Sequence, residues 1–302
     1  MAQTKPQDNE SGERQASTST HVQAEKRSRE SRFLRACRRE SVDRTPIWLM
    51  RQAGRYQSEF REIRARTSFL DLCKNAELAC EVTVMAVEML KVDAAIIFAD
   101  ILLPLEPLGV GLEYAKGEGP IIHRPLSSLQ DVQSLRPCHA EEHLGYVLNA
   151  IKLTRRTLRQ DVPLIGFAGA PFTLASYMIE GGSSKNFDKT KQFMRNETPA
   201  WKLLMERVAE LTGEYLKAQI EAGAEAVQLF DSWVGCLSPI DYRQYVQPYT
   251  KKVIDTVRGA APLIHFGTGT SGLLPNMVQA GGDVVGVDWR ISLDRAWQTI
   301  GF

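Results

Sequence analysis

Two arginines and an amide follow directly on an apolar run in Trp48-Leu49-Met50-Arg51-Gln52-Ala53-Gly54-Arg55-Tyr56. Residues 47–50 read as a short buried strand, with Gly54 as the turn beyond its end. Arg51 and Arg55 then stand side by side, and like charges that close need an anionic answer. A guanidinium fork pairs bidentately with carboxylate or phosphate. Spacing leaves two sources for that anion, local acids such as Glu59 and Glu62 or an anionic ligand. Asp100 poses the opposite question. It closes the apolar run Ala94-Ala95-Ile96-Ile97-Phe98-Ala99, where a carboxylate is costly unless it is paired or opens into a pocket. It can pair with an arginine such as Arg51, or serve as a fixed negative charge aimed at a cationic or N–H-rich ligand.

Two further motifs invite chemistry. Gly267-Thr268-Gly269-Thr270-Ser271-Gly272 is a literal G-x-G-x-x-G after a predicted strand, and Asp288 lies at the distance expected of a ribose-binding acid. Yet the loop follows five earlier βα units rather than opening a domain, and 14 residues remain after Asp288. A flexible rim loop is therefore the preferred reading over a dinucleotide site. His139 and His143 stand at i, i+4 in His-Ala-Glu-Glu-His. The glutamate is not adjacent to the first histidine as zinc hydrolysis requires, and a solvated helix start is expected.

The elements that must position these groups follow from periodicity. Residues 59–66 read as a short exposed helix. Asn75 caps the next helix, with Leu78, Val82, Met85 and Met89 as its core stripe. Residues 94–100 and 163–169 are continuous apolar runs, as in strands buried on both faces of a parallel sheet. Residues 103–127 form a Pro- and Gly-rich excursion. Helices are expected over 139–159, from Pro171 (carrying Tyr177) and over 199–222, the last with Trp201, Leu204, Met205, Val208, Leu211 and Tyr215 on one face. Gly181-Gly182-Ser183-Ser184 reads as a mobile loop. A strand over 226–230 ends in Asp231-Ser232. A capping box at Ser238 opens a helix running to Gly259. Strands over 262–266 and 284–287 and a helix from Leu293 complete the chain. Six β-then-α units mean a parallel sheet with helices outside. Polar and flexible residues at the strand ends from start to finish (Asp100, Asp231 and Asp288 among them) favour a barrel over an open doubly wound sheet. Six of eight units are found, so the expectation is a (β/α)8 TIM barrel shortened at its C-terminal end.

Composition sets the limits. The chain has 302 residues, 37 basic and 36 acidic side chains and a formal net charge of +1. That balance argues against a general nucleic-acid or membrane-surface binder, so recognition of an anion must be local. No run is apolar enough to span a bilayer, and the N-terminus lacks a hydrophobic signal segment. Residues 1–28 are poor in large apolar groups and read as a disordered tail, leaving 29–302 as the folded domain. Five scattered cysteines without a Cys-x-x-Cys pair suggest reduced thiols in a cytosol.

Six stretches, in order, resemble the uroporphyrinogen decarboxylase family. They are Trp48 to Tyr56, Phe98-Ala99-Asp100-Ile101-Leu102, Gly166-Phe167-Ala168-Gly169-Ala170-Pro171-Phe172-Thr173-Leu174, Tyr177-Met178-Ile179-Glu180-Gly181-Gly182, Gln228-Leu229-Phe230-Asp231-Ser232 and Gly286-Val287-Asp288-Trp289. The resemblance implies a (β/α)8 barrel, usually a homodimer, that decarboxylates the four acetates of uroporphyrinogen without a cofactor to give coproporphyrinogen in haem and chlorophyll synthesis. It implies that Arg51, Gln52, Ala53, Gly54 and Arg55 form the substrate-binding stretch. Asp100 would hold the pyrrole N–H groups and stabilise the transition state, with Tyr177 and Ser232 as further contacts. The family's histidine near the C-terminus has no counterpart here. A corrinoid-type methyltransferase of the same superfamily would need a zinc-binding His-x-Cys where this chain reads His265-Phe266-Gly267. An inactive shortened barrel is the third alternative.

Overall fold

The computed structural model describes residues 31–115 and 119–301, so the expected N-terminal tail lies outside the described residues. The first elements are helices α1 (Arg32–Cys37), α2 (Ser58–Arg66), α3 (Phe69–Lys74) and α4 (Ala76–Leu90), followed by strand β1 (Ala95–Ile96). A hairpin, β2 (Leu112–Ala115) and β3 (Gly119–Ile122), precedes α5 (Leu129–Gln133), α6 (Ala140–His143) and α7 (Gly145–Thr157). Then come β4 (Leu164–Gly169), α8 (Pro171–Glu180), α9 (Asp188–Asn196), α10 (Thr198–Glu221) and β5 (Ala226–Asp231). The last elements are α11 (Pro239–Tyr245), α12 (Gln247–Val257), β6 (Leu263–Gly267), α13 (Leu274–Ala280), β7 (Val284–Gly286) and α14 (Leu293–Ile300).

The main sheet has five strands in the order β1-β4-β5-β6-β7, every pair parallel. Sequential parallel neighbours joined by helices send all the strand C-termini to one edge. Strands β4 and β5 are buried along their whole length, as strands covered on both faces must be. Phe167, Phe230 and Phe266 stack edge-on in a row across β4, β5 and β6, with centroids 5.5 and 6.0 Å apart. Alternate residues on these strands face the helices instead.

Three expectations are corrected. Residues 47–50 form no strand. Ile47 bonds through both backbone groups to Asp93 (its N–H to Oδ2 at 2.8 Å, its C=O from the Asp93 N–H at 2.7 Å) and is 61% exposed. Leu49 and Met50 are exposed too, and Trp48 alone packs inward, edge-on to Phe33. The described residues thus contain five parallel strands, not six. The excursion over 103–127 contains an antiparallel hairpin, its register running from Leu112 opposite Ile122 to Ala115 opposite Gly119. The helices expected over 139–159 and from Ser238 to Gly259 each break in two, at Leu144 and at Val246. Pro248 follows the second break, and a proline lacks the N–H and clashes with the turn before it.

The expected caps form, and one of the two expected helix stripes is buried in full. Asn75 Oδ1 accepts from the Leu78 N–H at 2.8 Å and Ser238 Oγ from the Asp241 N–H at 3.1 Å, the expected caps. All six residues of the α10 stripe are buried. On α4 the buried face is instead Ala79, Cys80, Val82, Thr83, Ala86 and Val87, leaving Met89 49% exposed. The loop at Gly181 is fastened down: its C=O accepts from the Ile122 N–H at 2.9 Å, and Gly182 bridges Ile121.

One side chain does the work of a missing strand neighbour. Beyond Ile165, β1 no longer pairs with β4. The buried Gln219 of α10 fills the gap, accepting from the Phe167 N–H and donating to the Phe167 C=O, both at 2.8 Å. Leaving both backbone groups buried and unpaired costs about 1–3 kcal/mol each. Gln219→Leu is expected to lower stability by roughly 2–4 kcal/mol in urea unfolding with an unchanged m-value. A loss below about 1 kcal/mol would show that water replaces the amide freely.

Candidate active site

The arginine stretch lies in a turn-rich loop tied to the residues just before β1, with Arg51 within electrostatic reach of Asp100 beyond it. Gln52 is buried, its Oε1 accepting from the Leu49 N–H at 3.2 Å and its Nε2 donating to the Ala94 C=O at 3.3 Å. Ala53 packs inward beside Phe60 and Val82. The half-buried Gly54 donates its N–H to Gln57 Oε1 at 3.1 Å, and the Tyr56 hydroxyl donates to the Gln52 C=O. The loop is thus fixed by its middle residues, leaving Arg51 and Arg55 exposed at either side. Neither guanidinium has a carboxylate within 4.0 Å among the described residues. Glu59 is occupied instead by the Ser58 hydroxyl at 2.9 Å. Local acids do not answer these charges.

Asp100 makes no ion pair with Arg51. Its Oδ1 accepts from the Leu102 N–H at 2.8 Å, an Asx-type turn that starts the short 3-10 helix Leu103–Leu105. The same oxygen accepts from the Tyr114 hydroxyl of β2 at 2.6 Å. Burial pushes the Asp100 pKa up, and these two bonds and the positive charge of Arg51 offset only part of that rise. Tyr177, on α8 after β4, is buried within electrostatic reach of both Asp100 and Arg51. Burial and the Asp100 charge push its phenol to about 12, so it is protonated near neutral pH. Its ring lies 5.8 Å from that of Trp233, which directly follows the half-buried Ser232 at the end of β5. Arg51, Asp100 and Tyr177 therefore lie within electrostatic reach of one another beyond the strand C-termini, and Ser232 follows the end of β5 on the same edge, where such folds build their active faces.

The three strand-end aspartates have separate fates. Only Asp100 looks toward this cluster. Asp231 is fully buried on the helix side, with Oδ1 accepting from Thr173 Oγ1 of α8 at 3.3 Å and Oδ2 3.9 Å from His265 Nε2. Thr173 Oγ1 also accepts from the Trp233 N–H at 3.4 Å, tying the turn that carries Ser232 to the helix that carries Tyr177. Asp288 is spent on the glycine-rich loop. It accepts from the Gly269 N–H at 2.8 Å and the Arg290 N–H at 3.2 Å, and pairs with the Arg290 guanidinium. Burial pushes its pKa up, but these donors outweigh burial and hold it below the usual carboxylate range. An acid so engaged is not free for a ribose. Gly269, at φ +70°, lies against Gly235, where a Cβ would sit 2.2 Å from the Thr268 carbonyl oxygen. The glycines serve close packing between two strand-end loops.

Sequence reasoning missed Tyr114, Thr173 and Trp233. Tyr114 lies in the excursion that periodicity passed over. Thr173 stands within the stretch Gly166 to Leu174 and Trp233 directly follows the stretch Gln228 to Ser232, but nothing in their spacing assigns them partners. The histidine pair behaves as expected of a solvated helix start, with His139 exposed and His143 Nδ1 3.1 Å from the His139 C=O. Among the described residues, no group of three or more His, Cys, Asp or Glu could hold a metal ion, and no helix is long and apolar enough to cross a membrane. A surface depression of about 460 Å3, lined by Asp188, Lys191 and Arg195 of α9, is separate from this cluster.

A family model described as uroporphyrinogen decarboxylase matches residues 28–301. The chain belongs to that family. It is 57% identical to a uroporphyrinogen decarboxylase of Carboxydothermus hydrogenoformans over 271 residues, covering 89% of this chain and 77% of the relative. It is 54% identical to one of Sorangium cellulosum, covering 90% and 78%. Among solved structures, a methyltransferase from Methanosarcina mazei superposes with a TM-score of 0.75 at 21% identity, covering 89% of this chain and 79% of that one. At that identity the likeness speaks for the fold. Position 267, where the methyltransferase reading needs a cysteine, is a glycine whose Cβ would meet Thr270 at 2.5 Å.

Since no carboxylate pairs with either arginine, neither contributes through an ion pair to folding. Arg51→Gln and Arg55→Gln are each expected to change stability by less than about 0.5 kcal/mol in urea unfolding. A loss of about 2 kcal/mol or more would show that the charge is compensated within the fold.

Proposed function

We propose that this chain is a carboxy-lyase that removes the carboxyl groups of the four acetate side chains of uroporphyrinogen III, giving coproporphyrinogen III. The carrying observation is the separation of charge at one sheet edge: an uncompensated Arg51 stands within reach of an Asp100 held only by neutral donors. These are positions that match the family's motifs. A substrate with eight carboxylates calls for local cations on a near-neutral protein, and Arg51 with Arg55 supply them. Gln52, Ala53 and Gly54 shape that stretch, the buried Gln52 acting through the loop, while Tyr177 and Ser232 contact the ring system.

The chemistry needs an electron sink, and the pyrrole provides it. A proton adds to a ring carbon, making the ring cationic. The bond from the acetate CH2 to its carboxylate then breaks, CO2 leaves, and the bonding pair moves into the ring as an exocyclic methylene. A proton adds to that methylene and the first proton leaves the ring carbon, restoring the pyrrole with a methyl group. Each acetate thus takes up one proton and releases one CO2. The Asp100 carboxylate stabilises the cationic ring and accepts from pyrrole N–H groups. For the proton source, a water held by the Tyr177 phenol suits the task better than Arg51, which holds its proton too tightly. No further cofactor is called for by this route.

The same reading carries a homodimer in the cytoplasm and takes the βα units of residues 29–302 as units of a (β/α)8 barrel. Support for the barrel comes from the sequential parallel order of the strands and from apolar groups exposed near both ends of the sheet. Ile47, Leu49 and Met50 lie beside β1, and Trp289, 84% exposed, and Leu293 follow β7. A closed barrel would cover such groups.

The test is anaerobic incubation of the purified chain with uroporphyrinogen III, with products oxidised and separated by carboxylate number. Stepwise loss of carboxylates is expected, and Asp100→Asn is expected to lose at least about 10²-fold in kcat while remaining folded by circular dichroism. Because the Asp100 pKa is raised and its ionised form acts, kcat/KM is expected to fall with decreasing pH through a point above the ordinary aspartate range. Near-normal turnover by Asp100→Asn would remove Asp100 from the mechanism.

A further inference from the structure

Two donors share one oxygen of Asp100. The Leu102 N–H and the Tyr114 hydroxyl both reach Oδ1, at 2.8 and 2.6 Å, while Oδ2 accepts from no described residue. The first donor is local, two residues along the chain. The second is brought in from the hairpin, and that placement is braced from several sides. The Tyr114 ring lies 4.8 Å from that of Phe69 on α3. Phe69 lies 6.0 Å from Phe98, which stands two residues before Asp100 and touches Phe60 of α2 at 5.6 Å. The other hairpin strand is tied through Ile121 and Ile122 to Gly182 and Gly181, directly after the helix that carries Tyr177. The hairpin thus joins the Asp100 end of the site to the Tyr177 end.

We propose that Tyr114 is a positioning residue for Asp100, whose hydroxyl, with the Leu102 N–H, fixes Oδ1 so that Oδ2 alone is presented to the pyrrole N–H groups of the substrate. This rests on the reading of Asp100 given above. A carboxylate bound at one oxygen by two donors cannot rotate freely, and its remaining lone pairs are pre-aimed, which is the condition for electrostatic stabilisation without reorganisation. The bond also removes the need for Asp100 to recruit Arg51, leaving the guanidinium for an anionic side chain of the substrate. Burial and the neighbouring carboxylate raise the Tyr114 pKa, so the phenol is the donor. The titratable groups that act on Asp100 or respond to its charge are Arg51 from the loop, Cys73 from α3, Tyr114 from β2, Tyr177 from α8 and Tyr215 from α10. Arg51 supplies the positive charge in that set, so loss of the Tyr114 donor leaves the ionised carboxylate with Arg51 and one backbone N–H.

The test is Tyr114→Phe in the full chain, measured beside the parent and Asp100→Asn as kcat and KM against pH with uroporphyrinogen III. Tyr114→Phe keeps the ring against Phe69 and removes only the donor. The expected result is a roughly tenfold loss in kcat/KM near neutral pH and an acid limb displaced upward by about one pH unit. Part of the activity should return at higher pH, where the carboxylate ionises without help. A merely structural role would lower activity equally at every pH and leave the limb in place, and that result would overturn the proposal. So would a Tyr114→Phe profile that coincides with the parent's while Asp100→Asn is inactive. If Asp100→Asn turns over normally, or the parent does not act on uroporphyrinogen, the underlying reading fails and this one falls with it. Should Tyr114→Phe not fold, Tyr114→Met also lacks the donor while filling the position, and the same displacement of the limb is expected of it.

Discussion

A carboxylate and a guanidinium kept apart, each within the other's field, is the constraint on which this site depends. Left to themselves, Arg51 and Asp100 would gain from pairing, and a paired site would have little charge to offer a ligand. Two neutral donors on Oδ1 remove the pressure on Asp100. The loop holding Arg51 is fixed through Gln52 and Gln57 rather than through its charges. The cost appears as the raised pKa of Asp100, with burial opposing ionisation more strongly than its donors favour it. Such strain is what a preorganised electrostatic site carries before its ligand arrives.

The scaffold pays attention to the same edge. β4 and β5 are the best-buried strands, and both end at the site, one leading into the helix of Tyr177 and the other into Ser232. The Gln219 amide extends the pairing of β4 beyond the end of β1. Thr173 links Asp231 to the Trp233 backbone, tying α8 to the turn after β5. Each device is a buried polar contact placed one layer behind the groups that face the ligand, where packing density makes small displacements costly.

What was legible in the sequence tracks how strongly local pattern and tertiary environment agree. Residues 164–169 are apolar throughout and 226–230 apolar but for Gln228, a pattern that suits strands covered on both faces. The α10 stripe from Trp201 to Tyr215 repeats cleanly at helical spacing. Residues 47–50 are equally apolar yet have no neighbouring strand, because Asp93 takes both backbone bonds of Ile47 and the chain then turns away. On α4 the small residues Ala79, Thr83 and Ala86 are buried while the large Met89 is exposed, the reverse of what hydrophobicity alone suggests. Tyr114 carried no signal, since its role depends on a hairpin register and on a partner 14 residues earlier in the chain.

The fates of the three aspartates show why a residue type at a strand end does not by itself define a site. Asp231 sits at the last position of β5 on the same alternation as Leu229, and that parity turns it toward α8 and His265 rather than toward the substrate edge. Asp288 accepts from the Gly269 N–H of the glycine-rich loop and from Arg290, and Gly269 allows close contact with Gly235. Asp100 lies four residues beyond the end of β1 at Ile96, where an Asx-type turn and the Tyr114 hydroxyl hold Oδ1. Asp231 Oδ2 is also without a hydrogen bond but is sealed in the core, so strand parity and the placing of neighbouring donors separate three similar residues.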